Sequence, residues 1–224
     1  MAAVSRILFV APHPDDETLG CGGTIAKYRT LGHQVYWMIV TAMTKERGFS
    51  YEQMAKRSEE ISAVSRLYGF EQVFPLAFPA ATLGESIQGK LIQKAGKIVD
   101  EFQMEEVFLP FYGDAHSDHA VVFRCLSAAC KTFRHSSVRR VLCYETLSET
   151  NFPVHGGETF QPNVYEGIDV TFSTKMQAMA IYQSELGEHP FPRSETAVRA
   201  LAELRGSECG YKYAEGFMLL KEIR

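Results

Sequence analysis

The chain has 224 residues, 46% of them hydrophobic, with 27 acidic against 23 basic residues and a formal net charge of −4. That is enough apolar content for a full core in one domain, residues 1–224, and the acidic balance gives no footprint for nucleic acid or an anionic membrane surface. Five cysteines, odd in number and without a CxxC pair, argue for reduced thiols and against a disulfide framework or cysteine-bound zinc.

The first residues run straight into a strand, with no basic segment followed by an apolar leader and no stretch long enough to span a bilayer. A cytoplasmic protein is therefore expected. Arg6 to Ala11 is almost continuously apolar and reads as a buried parallel strand. It stops at Pro12-His13-Pro14-Asp15-Asp16-Glu17, where two prolines hold the backbone extended. A helix is predicted from Gly22 to Leu31, ended by Gly32. Gly20-Cys21-Gly22-Gly23 does not complete a dinucleotide fingerprint, because Ile25 stands where the third glycine belongs and carboxylates precede the run. These glycines are read as letting the helix approach the acidic loop closely.

Val35 to Thr41 is the second buried strand, and Lys45 to Gly48 a charged loop. Ser50 with Gln53 forms a capping-box pattern opening a helix that closes at Gly69. Val73 to Leu76 is a weaker strand, demoted by Pro75. Ile87, Leu91, Ile92, Ala95, Ile98 and Val99 share one face of a third helix. Glu106 to Leu109 is a strand broken at Pro110, followed by the loop Phe111 to His119 and a helix to about Phe133. Val141 to Tyr144 is the next strand. Ser148 to Asn163 is a long Gly/Pro/Asn/His loop suited to binding or to a lid. A strand near Val164 to Val170, helices at Thr174–Tyr182 and Ser194–Arg205, and a strand at Ala214–Leu220 complete the chain. Alternation of strand and helix implies an α/β fold with a mostly parallel sheet and right-handed crossovers.

Two strand-end loops carry residues that core packing does not call for. The first offers His13, Asp15, Asp16 and Glu17; the second offers Asp114, His116, Asp118 and His119. Strands one and four flank the point where a doubly wound sheet reverses order, so both loops can meet over one crevice. Two imidazoles and a carboxylate with open positions make a hydrolytic zinc site, and the same set also serves non-haem Fe(II). A second carboxylate that does not coordinate can act as base. Asp114 in the second loop, and Tyr144 at the end of a strand on the same side, are candidate substrate contacts.

His13-Pro14-Asp15-Asp16-Glu17 after Ala11, and His116-Ser117-Asp118-His119 after Pro110, resemble the LmbE/PIG-L-like N-acetylglucosaminyl deacetylases. Arg57-Ser58-Glu59-Glu60 with Leu67-Tyr68-Gly69 is similar to that family's Arg-x-x-Glu helix. Lys175, Ala178, Tyr182 and Ser184, then Arg205-Gly206 and Tyr213-Ala214-Glu215-Gly216-Phe217, are similar to its C-terminal section, best known from bacillithiol-type deacetylases. Ser184-Glu185 departs from the family's Ser-Gln. The resemblance implies a Rossmann-like three-layer sandwich, the LmbE-like fold, in a single deacetylase domain. It also implies Zn2+ on His13, Asp16 and His119, with Fe2+ as the alternative metal. By the same resemblance Asp15 is the general base, and His116 polarises the amide oxygen or protonates the departing amine. Asp118 orients His116, and Arg57 contacts the sugar. The expected partner is a small-molecule amino-sugar conjugate, with a homo-oligomer left open. The competing readings are a non-haem Fe(II) enzyme on the same ligand set and a non-catalytic sugar-binding member.

Overall fold

A computed structural model describes residues 4–152 and 159–224. Its centre is a seven-stranded sheet in the order β3-β2-β1-β4-β5-β7-β6. The strands are β1 (Arg6–Ala11), β2 (Gln34–Ala42), β3 (Gln72–Pro79), β4 (Glu106–Pro110), β5 (Arg140–Tyr144), β6 (Val164–Gly167) and β7 (Ala214–Glu222). β3, β2, β1, β4 and β5 run parallel, and β7 pairs antiparallel with both β5 and β6. As expected, β1 and β4 are neighbours and flank the point where the strand order reverses. Pro75 is tolerated because β3 is the edge strand, as its demotion in the sequence implied.

Helices cover both faces, which is why β1 and β2 lack polar alternation. On one face Leu8 and Val10 of β1 join Leu91, Ala95 and Val99 of α3 (Glu85–Glu101) and Val122 and Leu126 of α4 (Ser117–Ala129). The intervening Ile7, Phe9 and Ala11 pack with three helices on the opposite face. These are α1 (Asp16–Thr30), α2 (Tyr51–Tyr68) and α5 (Phe172–Ile181). α6 (Glu195–Cys209) lies outside them, with Val198 against Leu19 and Met179. Among the described residues no helix is long and apolar enough to cross a membrane.

Several boundaries differ from the sequence expectation. α1 begins at Asp16 rather than Gly22, so the acidic motif is the helix's first turn. Carboxylates are favourable there, beside the free N–H groups and positive pole of the helix. The glycines consequently sit inside α1 and serve its packing on the sheet and neighbouring helices rather than on the loop. A Cβ on Gly20 would lie 2.2 Å from the Tyr144 ring, and one on Gly23 2.5 Å from Ile168. The α2 start is as expected, with both capping-box hydrogen bonds between Ser50 and Gln53 and a left-handed Gly69 at its end. α4 stops at Ala129, β6 at Gly167, and α6 continues to Cys209, closing on left-handed Gly210. Of the expected Ser148–Asn163 binding loop, residues 153–158, including His155, lie outside the described residues.

Candidate active site

The turns after β1 and β4 leave adjacent strands on the same edge of the sheet, and their side chains converge. Asp16 Oδ2 lies 3.2 Å from His13 Nδ1 and 3.3 Å from His119 Nε2. The ligand atoms of His13, Asp16 and His119 lie within 4.8 Å of one another, and those of His13, His116 and Asp118 form a second such group. Second partners separate the two. His13 Nε2 is 3.2 Å from Asp118 Oδ2, and His119 Nδ1 is 2.7 Å from Asp114 Oδ2. Each imidazole thus turns one nitrogen toward Asp16 and the other to an outer carboxylate, the arrangement that orients histidine ligands. Asp118 Oδ2, by contrast, already accepts the Ala81 N–H at 2.7 Å. His119 Nε2 is buried without a well-directed hydrogen bond. Such an orphaned atom is costly unless it serves a ligand, and so the donor set fits a divalent cation held by His13, Asp16 and His119.

The electrostatics agree. Burial disfavours the His13 imidazolium, but hydrogen bonds to Asp118 and Asp16 outweigh it and push the group up to about 9. His119 is likewise raised, against burial, by the charge of Asp16 and its bond to Asp114. Asp16 is held low despite burial, chiefly by the charge of His119 and by its close contacts with both imidazoles. The carboxylates around the two imidazoles thus favour positive charge at this point.

Asp15 sits beside this set on the wall of the adjoining cavity. Burial, then the charges of Asp16, Glu185 and Glu17, drive its carboxyl well above the usual range. Its backbone has φ 136°, a region that side-chain-bearing residues rarely adopt and that costs ~1–3 kcal/mol. Neighbours hold it there. Asp15 N–H donates to Glu17 Oε2 (3.1 Å), its carbonyl accepts the Thr18 and Leu19 N–H groups, and Arg57 Nη1 donates to Pro14 O (2.7 Å). Glu17 is fully buried, bonded to Thr18 and Tyr182, and pushed up to about 7 by burial.

His116 caps α4, and its Nδ1 accepts the Asp118 N–H (3.1 Å). That leaves Nε2 as the protonated nitrogen of the neutral ring. Burial, followed by His13 and His119, lowers its basicity. Asp118 therefore orients His116 through its main chain, while its carboxylate serves His13.

A cavity of about 480 Å³ opens from this point, lined by His13, Asp15, Arg57 and His116 among others. Two of the expected substrate contacts lie elsewhere. Asp114 stands behind His119 and also accepts from Thr150 Oγ1. Tyr144 is fully buried, its hydroxyl on Val10 O and its ring beneath Gly20, because a large side chain at that point is needed to fill the space under the glycine helix. Arg57 does reach the cavity, but protein acceptors occupy it: Pro14 O, Ser184 Oγ, Glu60 and Glu185. Sequence reasoning misses Glu149 and Arg193 and marks Glu185 only as a departure. The clustered carboxylates behind the histidines are a usable signal for Asp114, whereas nothing local marks Arg193.

Residues 8–130 match the family model described as PIG-L, GlcNAc-PI de-N-acetylase. The diacetylchitobiose deacetylase of Thermococcus kodakarensis is 25% identical over 98% of this chain and 85% of its own length. Among solved structures, the conserved protein TT1542 from Thermus thermophilus superposes with TM-score 0.77 at 25% identity, over 97% of this chain and 96% of its own. The N,N'-diacetylchitobiose deacetylase of Pyrococcus horikoshii has the same fold, with TM-score 0.78 at 22% identity over 97% of this chain and 84% of that one.

Proposed function

The chain belongs to the GlcNAc-PI de-N-acetylase (PIG-L) family, and from that premise we propose that it is a zinc-dependent hydrolase of an N-acetylated, GlcNAc-type amino-sugar conjugate. The products are acetate and the free amine. The observation that carries this reading is the set His13, Asp16 and His119 with uncommitted Asp15 beside it at the cavity wall. A divalent cation in that set supplies Lewis-acid charge at the acetamide carbonyl and makes a water molecule easier to deprotonate.

The protein's own groups do the rest. Asp15 takes the proton from the attacking water. Neutral His116, its Nδ1 occupied by the Asp118 N–H, presents Nε2–H to the oxygen on which negative charge develops. Protonated Asp15 then returns the proton to the nitrogen, so the C–N bond breaks to give the neutral amine and acetic acid, which loses its remaining proton to solvent as acetate. Asp114 and Asp118 hold the two histidine rings, and Arg57 with Glu17 holds the backbone of the base. A free carboxylate placed as a base favours hydrolysis over oxygen chemistry on the same ligand set.

The test is acetate release from N-acetylglucosamine and its glycosides, run aerobically and anaerobically, with metal analysis of the purified protein. Acetate release independent of oxygen, with one metal per chain lost in His119→Ala, is expected. No acetate from any acetamido sugar, or full metal retention in His119→Ala, overturns the reading. The free thiols support a reducing, cytoplasmic setting as part of this proposal.

A further inference from the structure

The cavity beside the metal-ligating set has two unlike walls. One is made by Ile39, Met43, Phe49, Met54, Ile61 and Pro75, from β2, β3, the β2–α2 connection and α2. The other carries Arg57 and Arg193, and their charges are already taken. Glu185 lies between them, one carboxylate oxygen on Arg57 Nη2 and the other 3.2 Å from Arg193 Nη2. Arg193 Nε donates to the Glu185 carbonyl (2.9 Å) and its Nη1 to Ser148 Oγ (2.9 Å). Glu60 takes Arg57 Nε at 3.2 Å. Glu149 and Asp15 also line the cavity. A phosphate or carboxylate entering here would have to displace Glu185 from both guanidinium groups while facing two more acidic side chains. A neutral group meets no such opposition. At about 480 Å³ the cavity falls within the ~300–1,000 Å³ range of pockets that enclose drug-sized ligands.

We propose that the substrate class is a neutral N-acetylamino sugar bearing an alkyl or aryl aglycone, with the aglycone on the Met43/Phe49/Met54/Ile61 wall and Glu185 excluding anionic conjugates. This rests on the deacetylase reading and narrows it. Glu185 is a specificity-determining residue: it sets which substituents can approach the two arginines and takes no part in bond breaking. Met54 contributes contact area to a chain or ring, and burying such area is worth roughly 10-fold or more in discrimination for even one methylene.

The experiment compares octyl N-acetylglucosaminide, N-acetylglucosamine and N-acetylglucosamine 1-phosphate as substrates of wild type, Glu185→Gln and Met54→Ser. In parallel, calorimetry measures wild-type binding of octyl glucosaminide and glucosamine 1-phosphate. Wild-type kcat/KM is expected to favour the octyl glycoside over the phosphate by at least ~10-fold. Glu185→Gln should narrow that ratio from the phosphate side, Met54→Ser from the octyl side, and octyl glucosaminide should bind more tightly than glucosamine 1-phosphate. Equal or better turnover of the phosphate by wild type overturns the proposal and leaves deacetylation standing. Absence of acetate from all three, with the octyl amine still bound preferentially, overturns the deacetylase reading while supporting the cavity assignment. Equal binding of the two amines with no turnover overturns both.

Discussion

Helix α1 carries one buried polar cluster at its middle and another at its N-terminus, and the two are built on opposite plans. At its middle, Glu215 is saturated. It accepts from Gly23 N–H (2.9 Å), Thr24 N–H (2.8 Å), Thr24 Oγ1 (2.6 Å) and Lys175 Nζ (2.6 Å), and Lys175 also donates to Leu19 O. At its N-terminus the set around Asp16 is unfinished: His119 Nε2 has no well-directed partner and Asp15 stands strained at a cavity wall. A buried charge whose every lone pair is occupied holds helices together. A buried charge left short of partners is poised to receive something. The same helix thus separates fastening from chemistry by the completeness of its hydrogen bonding.

The contrast can be broken at either cluster. Asp15→Asn keeps the proposed ligand set but removes the proposed base, so kcat should fall ~10²–10⁴-fold with metal content unchanged. Wild-type turnover in this variant would remove Asp15 from the mechanism. At the middle of the helix, Lys175→Met leaves the Glu215 charge buried and unpaired, and should lower unfolding free energy by ~3–5 kcal/mol in urea titration, with metal per folded chain preserved. Pairing it with Glu215→Met should restore part of the loss, since a well-packed apolar pair avoids desolvation.

Glu106 is an intermediate case that sharpens the distinction. Arg140 pairs with it at 2.9 Å, yet burial and the nearby Glu166 and Glu222 push it from 4.5 up to about 7. Its folded pKa exceeds the unfolded one, so the folded state binds the extra proton between those values. The contribution is full below about pH 4.5 and is lost as pH rises through about 7, ~3 kcal/mol in all. Glu106→Gln should flatten the pH dependence of Tm over that window, and an unchanged slope would rule this assignment out. Between the two clusters, Gly20→Ala gains at most ~1 kcal/mol of helix propensity but places a methyl 2.2 Å from the Tyr144 ring, a clash of ~1–3 kcal/mol. A net loss of up to ~2 kcal/mol should appear as a lower urea midpoint, and a stabilised variant would show that the ring can move aside.

Much of this architecture is legible from local pattern. Arg6–Ala11 announces a doubly covered strand, Ser50 and Gln53 announce a helix start, and the two His/Asp clusters at strand ends announce side chains that converge. Local pattern fails where tertiary structure decides. Asp16 to Cys21 is helical against the propensity of its glycine, because close packing on Tyr144 needs a residue without a Cβ. Tyr144 has the chain position of a pocket residue, but its direction, set by the strand's pleat, takes it elsewhere. Arg57, in a helix dense with charge, gives no hint that its acceptors are Pro14, Ser184 and Glu185, residues up to 128 positions away. The bridge from Glu185 to Arg193 spans the α5–α6 connection, where no periodicity exists to read.

The donors of the proposed cation seat come from the turn after β1 and the first turns of α1 and α4, whereas Met43, Phe49 and Met54 belong to the β2–α2 segment and Glu185 to the α5–α6 connection. Arg57 and Glu185 tie the two regions together through Pro14, but Met43, Phe49 and Met54 stand apart from that tie. A lineage built this way can adjust to new conjugates by ordinary drift at those three positions while the proposed donor set is inherited intact. Divergence among relatives should then concentrate there rather than at His13, Asp16 and His119.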